Sequence, residues 1–411
     1  MTRMAAAQAT TAGALYKRLA VLGLALFVYL TAELFPIGAL NDLAMGLHVA
    51  PATAGLLLTV YAIAAGAATL PAVWACRRLD RRRALTASLV LLALSQVTFG
   101  LAPNFTVAAL ARGVAAIAHG LVWSQIPVVA ARYAPEGMRG RATAAVFAGS
   151  SLGLIAGAPI ATGLAHELGW RAASLTLAAA AGATAVLLRA ALPATPPPPR
   201  EIRGRDTSGV GPVLVVCLVT TALVVGHYVS YTYLTLLIAP AGLSGSLLVV
   251  VLAGYGIAGL FGVALVGRAL DTHPLRTTLT VATTLTCAVT ALGIAHLGWV
   301  VFVLVMVWGA AAAALPVILQ HAVLRTAPDD PDVPSGAYVV SYQLGITGGS
   351  AIGAALLSHT QAASLPLGSG IALAAGTILI VTTPTVFGHR QPSRTDRAPS
   401  RCGRQASRNR C

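Results

Sequence analysis

Apolar runs of about twenty residues, enough to cross the hydrocarbon core of a bilayer as a helix, recur along this 411-residue chain with short polar stretches between them. Measured against that length, the pattern predicts twelve spans. Six fall near 19–40, 52–75, 84–102, 105–131, 142–165 and 172–192, and six near 211–238, 245–267, 276–296, 299–324, 335–358 and 367–387. Between the sets lies PATPPPPREIRGRDTSG, whose prolines and charges can continue neither neighbouring helix. The expected fold is an all-α membrane protein, its twelve transmembrane helices in two six-helix bundles. Its parts are an N-terminal segment 1–18, bundles at 19–192 and 210–388, a linker at 193–209, and a basic tail at 389–411 expected to be disordered.

Charge then orients the spans. With the N-terminus inside, every one of the 27 Lys and Arg residues except Arg112 and Arg171 falls in a cytoplasmic segment, the bias that sets membrane topology. Both termini are therefore expected in the cytoplasm. The same distribution accounts for the net charge of +15 as topology, so no nucleic-acid partner is expected. With 57% hydrophobic and only 9% charged residues, and a mean hydropathy of +0.79, a soluble globular domain is excluded. The first run continues through Glu33 and Pro36 to residue 40, too long for the core of a cleaved signal peptide. Five scattered cysteines show no metal-ligand spacing and read as free thiols.

The halves look like repeats. A shift of 193 lays ARYAP (131–135) on LRTAP (324–328), and a shift of 192 lays Gly153 and Gly157 on Gly345 and Gly349. Repeated bundles place a substrate site near the midplane between them.

Two charges lie inside the predicted hydrocarbon, where each is expensive and therefore a functional candidate. Glu33 lies seven residues, roughly 10 Å, from the outer end of the first span, and Arg112 lies equally deep in the fourth. Two arrangements suit them: a mutual pair, or separate water-lined or carbonyl-lined niches. His119 and Trp123 follow Arg112 on nearly the same helical face. His119 can be a helix-to-helix hydrogen-bonding group or a proton carrier. Tyr29 lies one turn before Glu33 and is a candidate for the same cavity.

The seventh span carries GHYVSYTYL (226–234), in which His227 and Tyr231 share a face and Tyr228 and Tyr233 flank it. At midplane depth these suit a binding wall, whereas Tyr233 suits the interface. Trp308, Gln320, Tyr342 and Gln343 are further lining candidates. In GSSLGLIAGAPIATG (149–163), Gly149, Gly153 and Gly157 recur every fourth position, which permits close packing, and Pro159 bends the helix. The loop CRRLDRRR (76–83) is either a positive-inside anchor or a gate latch built on Asp80, Arg81, Arg82 and Arg83. Asp329, Asp330 and Asp332 read as a solvated turn, with cation binding the alternative.

Together these residues resemble the major facilitator superfamily, in particular its twelve-helix drug/proton antiporter branch of bacterial chloramphenicol-resistance, arabinose/sugar-efflux and purine-efflux exporters. The resemblance covers about residues 15–388 and rests on TAELFPIGAL (31–40), ARGVAAIAHG (111–120), RGRATA (139–144), GWR (169–171), YTYL (231–234) and Trp308-Gly309 with Gln320. The 76–83 loop corresponds to the superfamily's basic signature and GRALD (267–271) to its second copy. Two departures stand out. Arg77 or Arg78 replaces the acidic residue early in the first copy, while Asp271 survives in the second; and Gly157-Ala158-Pro159 replaces a direct Gly-Pro.

The resemblance implies Glu33 as proton acceptor, Arg112 as its charged partner in coupling, and Asp271, Gly157 and Pro159 in gating. The expected function is proton-coupled export of a small, roughly neutral organic solute by a monomer in the inner membrane. Partners are the small-molecule substrate, protons and the lipid bilayer; no cofactor, metal or enzymatic activity is expected. Uptake or facilitated diffusion is the alternative within transport, and a membrane receptor or scaffold the alternative outside it. No HExxH and no paired aspartates within a helix argue for an intramembrane enzyme.

Overall fold

An unpaired backbone amide is costly in hydrocarbon, so spanning segments of this composition satisfy their amides internally as helices. The computed structural model describes residues 2–76, 78–194, 210–243, 246–328, 330–359 and 364–388, and their regular structure is helical throughout. Most of the linker (195–209), the whole tail (389–411) and Arg77 lie outside the described residues. In chain order the first helices are α1 (Thr2–Gly38), α2 (Leu40–Gly46), α3 (Pro51–Cys76), α4 (Arg81–Gly100) and α5 (Phe105–Tyr133). Then come α6 (Arg139–Leu152), a π-helical turn at Gly153–Gly157, α7 (Ala158–Leu168) and α8 (Trp170–Ala191). After the linker follow α9 (Val210–Tyr231), α10 (Leu234–Ile238), α11 (Ser246–Thr272) and α12 (Pro274–Ala291). The last are α13 (Gly298–Thr326), α14 (Asp332–His359), α15 (Leu365–Thr382) and α16 (Pro384–Phe387).

Among the described residues, eleven helices are long and apolar enough to cross a membrane. The segment expected at 276–296 is helical as α12 but is not one of them, because it is dense in threonine. Its hydroxyls donate back to their own helix, Thr277 to the His273 carbonyl, Thr278 to Pro274 and Thr286 to Ala282, each at 2.8 Å. Such back-bonding hides polarity that a hydropathy sum counts in full. The bend expected at Pro159 takes the form of the π-helical turn just before it, where a widened ring accommodates the missing N–H. Cys76, Cys217 and Cys287 are free thiols, while Cys402 and Cys411 lie outside the described residues.

Glycine sets how closely α1 meets the broken helix. A Cβ at Gly149 would collide with the Gly23 main chain, and one at Gly157 with the Thr31 hydroxyl. Helices up to α8 pack chiefly among themselves, as do those from α9 onward. The two groups meet where α6 lies against α11 and where α3 and α5 lie against α14. Most of the residues discussed next lie on or near that seam.

Candidate functional site

Pro36 sits inside α1, and with no N–H it leaves the carbonyl four residues earlier without its helical partner. That carbonyl belongs to Ala32. Arg112 of α5 fills the gap, donating from Nη1 to the Ala32 carbonyl at 2.9 Å and from Nη2 to the Glu33 carbonyl at 2.8 Å. Arg112 is 1% exposed, and its Cζ lies 4.5 Å from the centroid of the Tyr61 ring, a cation–π contact. Arg112 is therefore matched in depth to Glu33, as the sequence predicts, but it holds the α1 main chain rather than the Glu33 carboxylate.

The carboxylate turns instead to His119. Glu33 Oε2 lies 3.4 Å from His119 Nδ1, with the acid side chain 19% exposed and the imidazole 5%. Glu33 Oε2 makes no hydrogen bond. The same Nδ1 lies 2.9 Å from the Tyr61 hydroxyl, and His119 Nε2 lies 3.0 Å from the Gln343 amide nitrogen of α14. Tyr29 is fully buried, edge-on to His119, and its hydroxyl donates to the Ala115 carbonyl. Trp123 completes the face, its ring 5.8 Å from the imidazole. Glu33, Tyr29, Arg112, His119, Trp123 and Gln343 thus come together as one cluster.

On the other side of the seam is an aromatic cage. Trp308 donates from Nε1 to His227 Nδ1 at 2.9 Å. A ring nitrogen that accepts carries a lone pair, so His227 is neutral with its proton on Nε2. His227 stacks on Tyr231 at 4.9 Å and meets Tyr228 edge-on at 4.8 Å, while Tyr231 stacks on Tyr255 at 5.4 Å. Trp308 stands edge-on to His227, Tyr231 and Tyr255. Tyr228, Tyr231, Tyr342, Gln343, Trp123 and Glu33 are each only partly buried, unlike the Trp308 and Arg112 side chains behind them. Gln320 lies outside this wall, bonding Ser335 at 2.9 Å in full burial.

At the arginine-rich end, the seam is fastened by charge. Arg81 donates to Asp332 in an ion pair whose side chains are each 5% exposed, and its Nε donates to Gln125 Oε1 at 3.2 Å. Asp332 is therefore no solvated turn residue but the buried first residue of α14. Asp271 accepts from the Gly140 and Arg141 amides and faces Arg141 Nε at 3.3 Å. The residue before α6, Met138, offers no side-chain cap, so Asp271 caps α6 from across the seam. Asp80, Arg82 and Arg83 of the basic loop lie nearby. Asp80 caps α4 by accepting from the Arg83 amide at 3.0 Å, Arg82 donates to the Leu192 carbonyl at 3.3 Å, and Arg83 is exposed. Beside this fastening opens a cavity of about 330 Å³ lined by Glu136, Arg139, Asp271, His321 and Arg325. It lies at the mouth of the seam, apart from Glu33 and the cage. Gly157 ends the π turn and lies against Thr31 of α1, and Pro159, exposed, follows it in the first turn of α7.

Sequence reasoning missed Tyr61, Tyr255, Gln125 and Asp332. Tyr61 had one available signal, a lone aromatic in the small-residue stretch TVYAIAAGAA of the second span. Comparison with known proteins agrees with this architecture. A model of the Major Facilitator Superfamily matches residues 21–350. A chloramphenicol efflux pump of Mycobacterium tuberculosis is 38% identical over 372 residues, which cover 86% of this chain and 89% of the pump. A probable sugar efflux transporter of Mannheimia succiniciproducens is 29% identical over 354 residues, 85% of this chain and 89% of that protein. The solved structure of the human organic anion transporter MFSD10 is similar in fold, with a TM-score of 0.73 at 16% identity, over 89% of this chain and 99% of that one.

Proposed function

This chain belongs to the major facilitator superfamily, and on that footing we propose that it is a proton-coupled exporter of a small, roughly neutral, moderately apolar organic solute. It is a multi-pass membrane protein that carries a small organic solute by secondary transport, and it is not an enzyme. In the proposed mechanism, twelve helices form two six-helix bundles that rock about the seam as a monomer, with both termini and the arginine-rich end in the cytoplasm.

One observation carries the reading: the Glu33 side chain is partly exposed while its carboxylate Oε2 is buried with no hydrogen bond, and the neighbouring arginine is committed to α1 carbonyls. Arg112 thus leaves the carboxylate free to take and release a proton. When the bundles open outward, Glu33 protonates from the outer side and cargo leaves. When they open inward, it releases the proton to the cytoplasm and cargo enters against the His227–Tyr231–Tyr255 cage. The cage offers ring faces, hydroxyls and the His227 Nε2–H, which suits a neutral molecule with both apolar and hydrogen-bonding parts. Opening inward requires Arg81–Asp332 and Asp271–α6 to part, which gives these residues the gating role.

Chloramphenicol has that chemistry and is named for the Mycobacterium tuberculosis relative. In sealed inside-out vesicles with an acid lumen, it should accumulate inside, and a protonophore should abolish the accumulation. Accumulation under the opposite gradient would mean uptake by symport. Equilibration without accumulation would mean facilitated diffusion, and saturable binding without entry would mean a receptor.

A further inference from the structure

His119 is where the polar cluster of the first helices touches the later ones. Its Nδ1 faces Glu33 at 3.4 Å and the Tyr61 hydroxyl at 2.9 Å; its Nε2 faces the Gln343 amide of α14 at 3.0 Å. A neutral imidazole has one N–H and one lone pair, so the two sides are not independent. What the Nδ1 side demands, the Nε2 side must complement.

We infer that Gln343 is a positioning residue that reads the proton state of Glu33 through the His119 tautomer and passes it across the seam. With Glu33 ionised, the His119 proton sits on Nδ1, facing the carboxylate, and the Nε2 lone pair accepts from the Gln343 amide nitrogen. When Glu33 gains a proton, its O–H donates to Nδ1, which now carries the lone pair. The imidazole proton sits on Nε2, and Gln343 must present its carbonyl oxygen. One proton has been added in total, shared as one on Glu33 and one on His119. The amide either inverts or lets go, and both change the contact between α5 and α14.

Two hydroxyls share this neighbourhood: Tyr61, nearer to Nδ1 than Glu33 is, and Tyr228 of α9, within reach of the Glu33 charge. From α1, the groups facing the imidazole are Glu33 and Tyr29, whose hydroxyl is committed to Ala115. From α3 it is Tyr61, and from α14 Gln343. On α5 itself, Arg112 is held by the Ala32 and Glu33 carbonyls and Trp123 is not titratable. The nearby α4 and α6 bring Ser95, bonded to the Ala111 carbonyl, and Phe147, packed on Trp123.

This inference rests on Glu33 being the proton acceptor, and its test separates the two. Difference infrared spectra of the purified protein against pH should show a carboxylic C=O band that Glu33→Gln removes. They should also show a side-chain amide C=O band that Gln343→Leu removes. The inference expects the amide band to shift with the same midpoint as the carboxylic band. In vesicles, Gln343→Leu should lower pH-gradient-driven chloramphenicol accumulation about tenfold, a typical coupling between two sites, while its Glu33 band still titrates. A Glu33 band that titrates beside a static Gln343 band would overturn the inference and leave the function intact. The absence of any Glu33 band would instead remove the proton acceptor. Should the Leu variant fail to reach the membrane, Gln343→Met, close in volume, takes its place in both measurements.

Discussion

Pro36 has no N–H for the Ala32 carbonyl, and Arg112 supplies one from another helix. A lysine has no planar fork to reach two carbonyls. Arg112→Lys should therefore leave one of them unpaired in a buried site, costing about 1–3 kcal/mol, seen as a lower thermal midpoint in detergent. Adding Pro36→Ala restores the helical donor and should recover part of that stability. If the double variant is no more stable than the single one, Arg112 is not serving the proline gap. In the cage, Trp308→Phe keeps the ring but removes the donor to His227 Nδ1. Losing this buried bond should cost about 1 kcal/mol of stability, and a cage wall no longer held in place should bind chloramphenicol more weakly in a tryptophan-independent binding assay. Unchanged affinity would place the cage outside the binding path.

At the scale of elements, α1 and the broken helix of α6, π turn and α7 are the closest-packed pair argued above. Gly149→Leu puts a side chain where the Gly23 main chain stands, and backbone cannot step aside cheaply. Overpacking of this kind costs about 1–3 kcal/mol or more, measurable as a fall in thermal midpoint, whereas Gly163→Ala, inside α7 with nothing within 4 Å, should hold or raise it. Much of this level was legible in the chain. The apolar runs placed the helices, and the four-residue glycine spacing announced the close face. Threonine-rich α12 was legible as a helix, although it is not among the eleven that are long and apolar enough to span. The main-chain role of Arg112 was written in Pro36 four residues after Ala32, but reading it requires knowing which side chain faces the gap. Asp332 was misread because charge in a short loop looks solvated until the partner, Arg81, arrives from a helix far away in the chain. Tyr61 carried no periodic signal; only tertiary packing puts it between Arg112 and His119.

Across the whole molecule, the proposed mechanism has the two fastenings at the arginine-rich end set the balance between inward and outward opening. Removing one partner of a buried ion pair leaves an uncompensated charge, at a cost of about 3–5 kcal/mol. Asp332→Asn should shift the protein toward the inward-open form, read as faster labelling of a cysteine placed at Gly336 beside Leu70 and Val73. The exchange Arg81→Asp with Asp332→Arg should slow that labelling again. Equal labelling in all forms would mean that the ion pair holds no gate. Above these gates stands the claim that one carboxylate couples the solute to the proton gradient. The most direct measurement is chloramphenicol transport in inside-out vesicles by Glu33→Gln. Solute exchange at equal pH on both sides should persist, while accumulation driven by an acid lumen should disappear. A Glu33→Gln variant that still accumulates solute in proportion to the pH gradient would contradict the account.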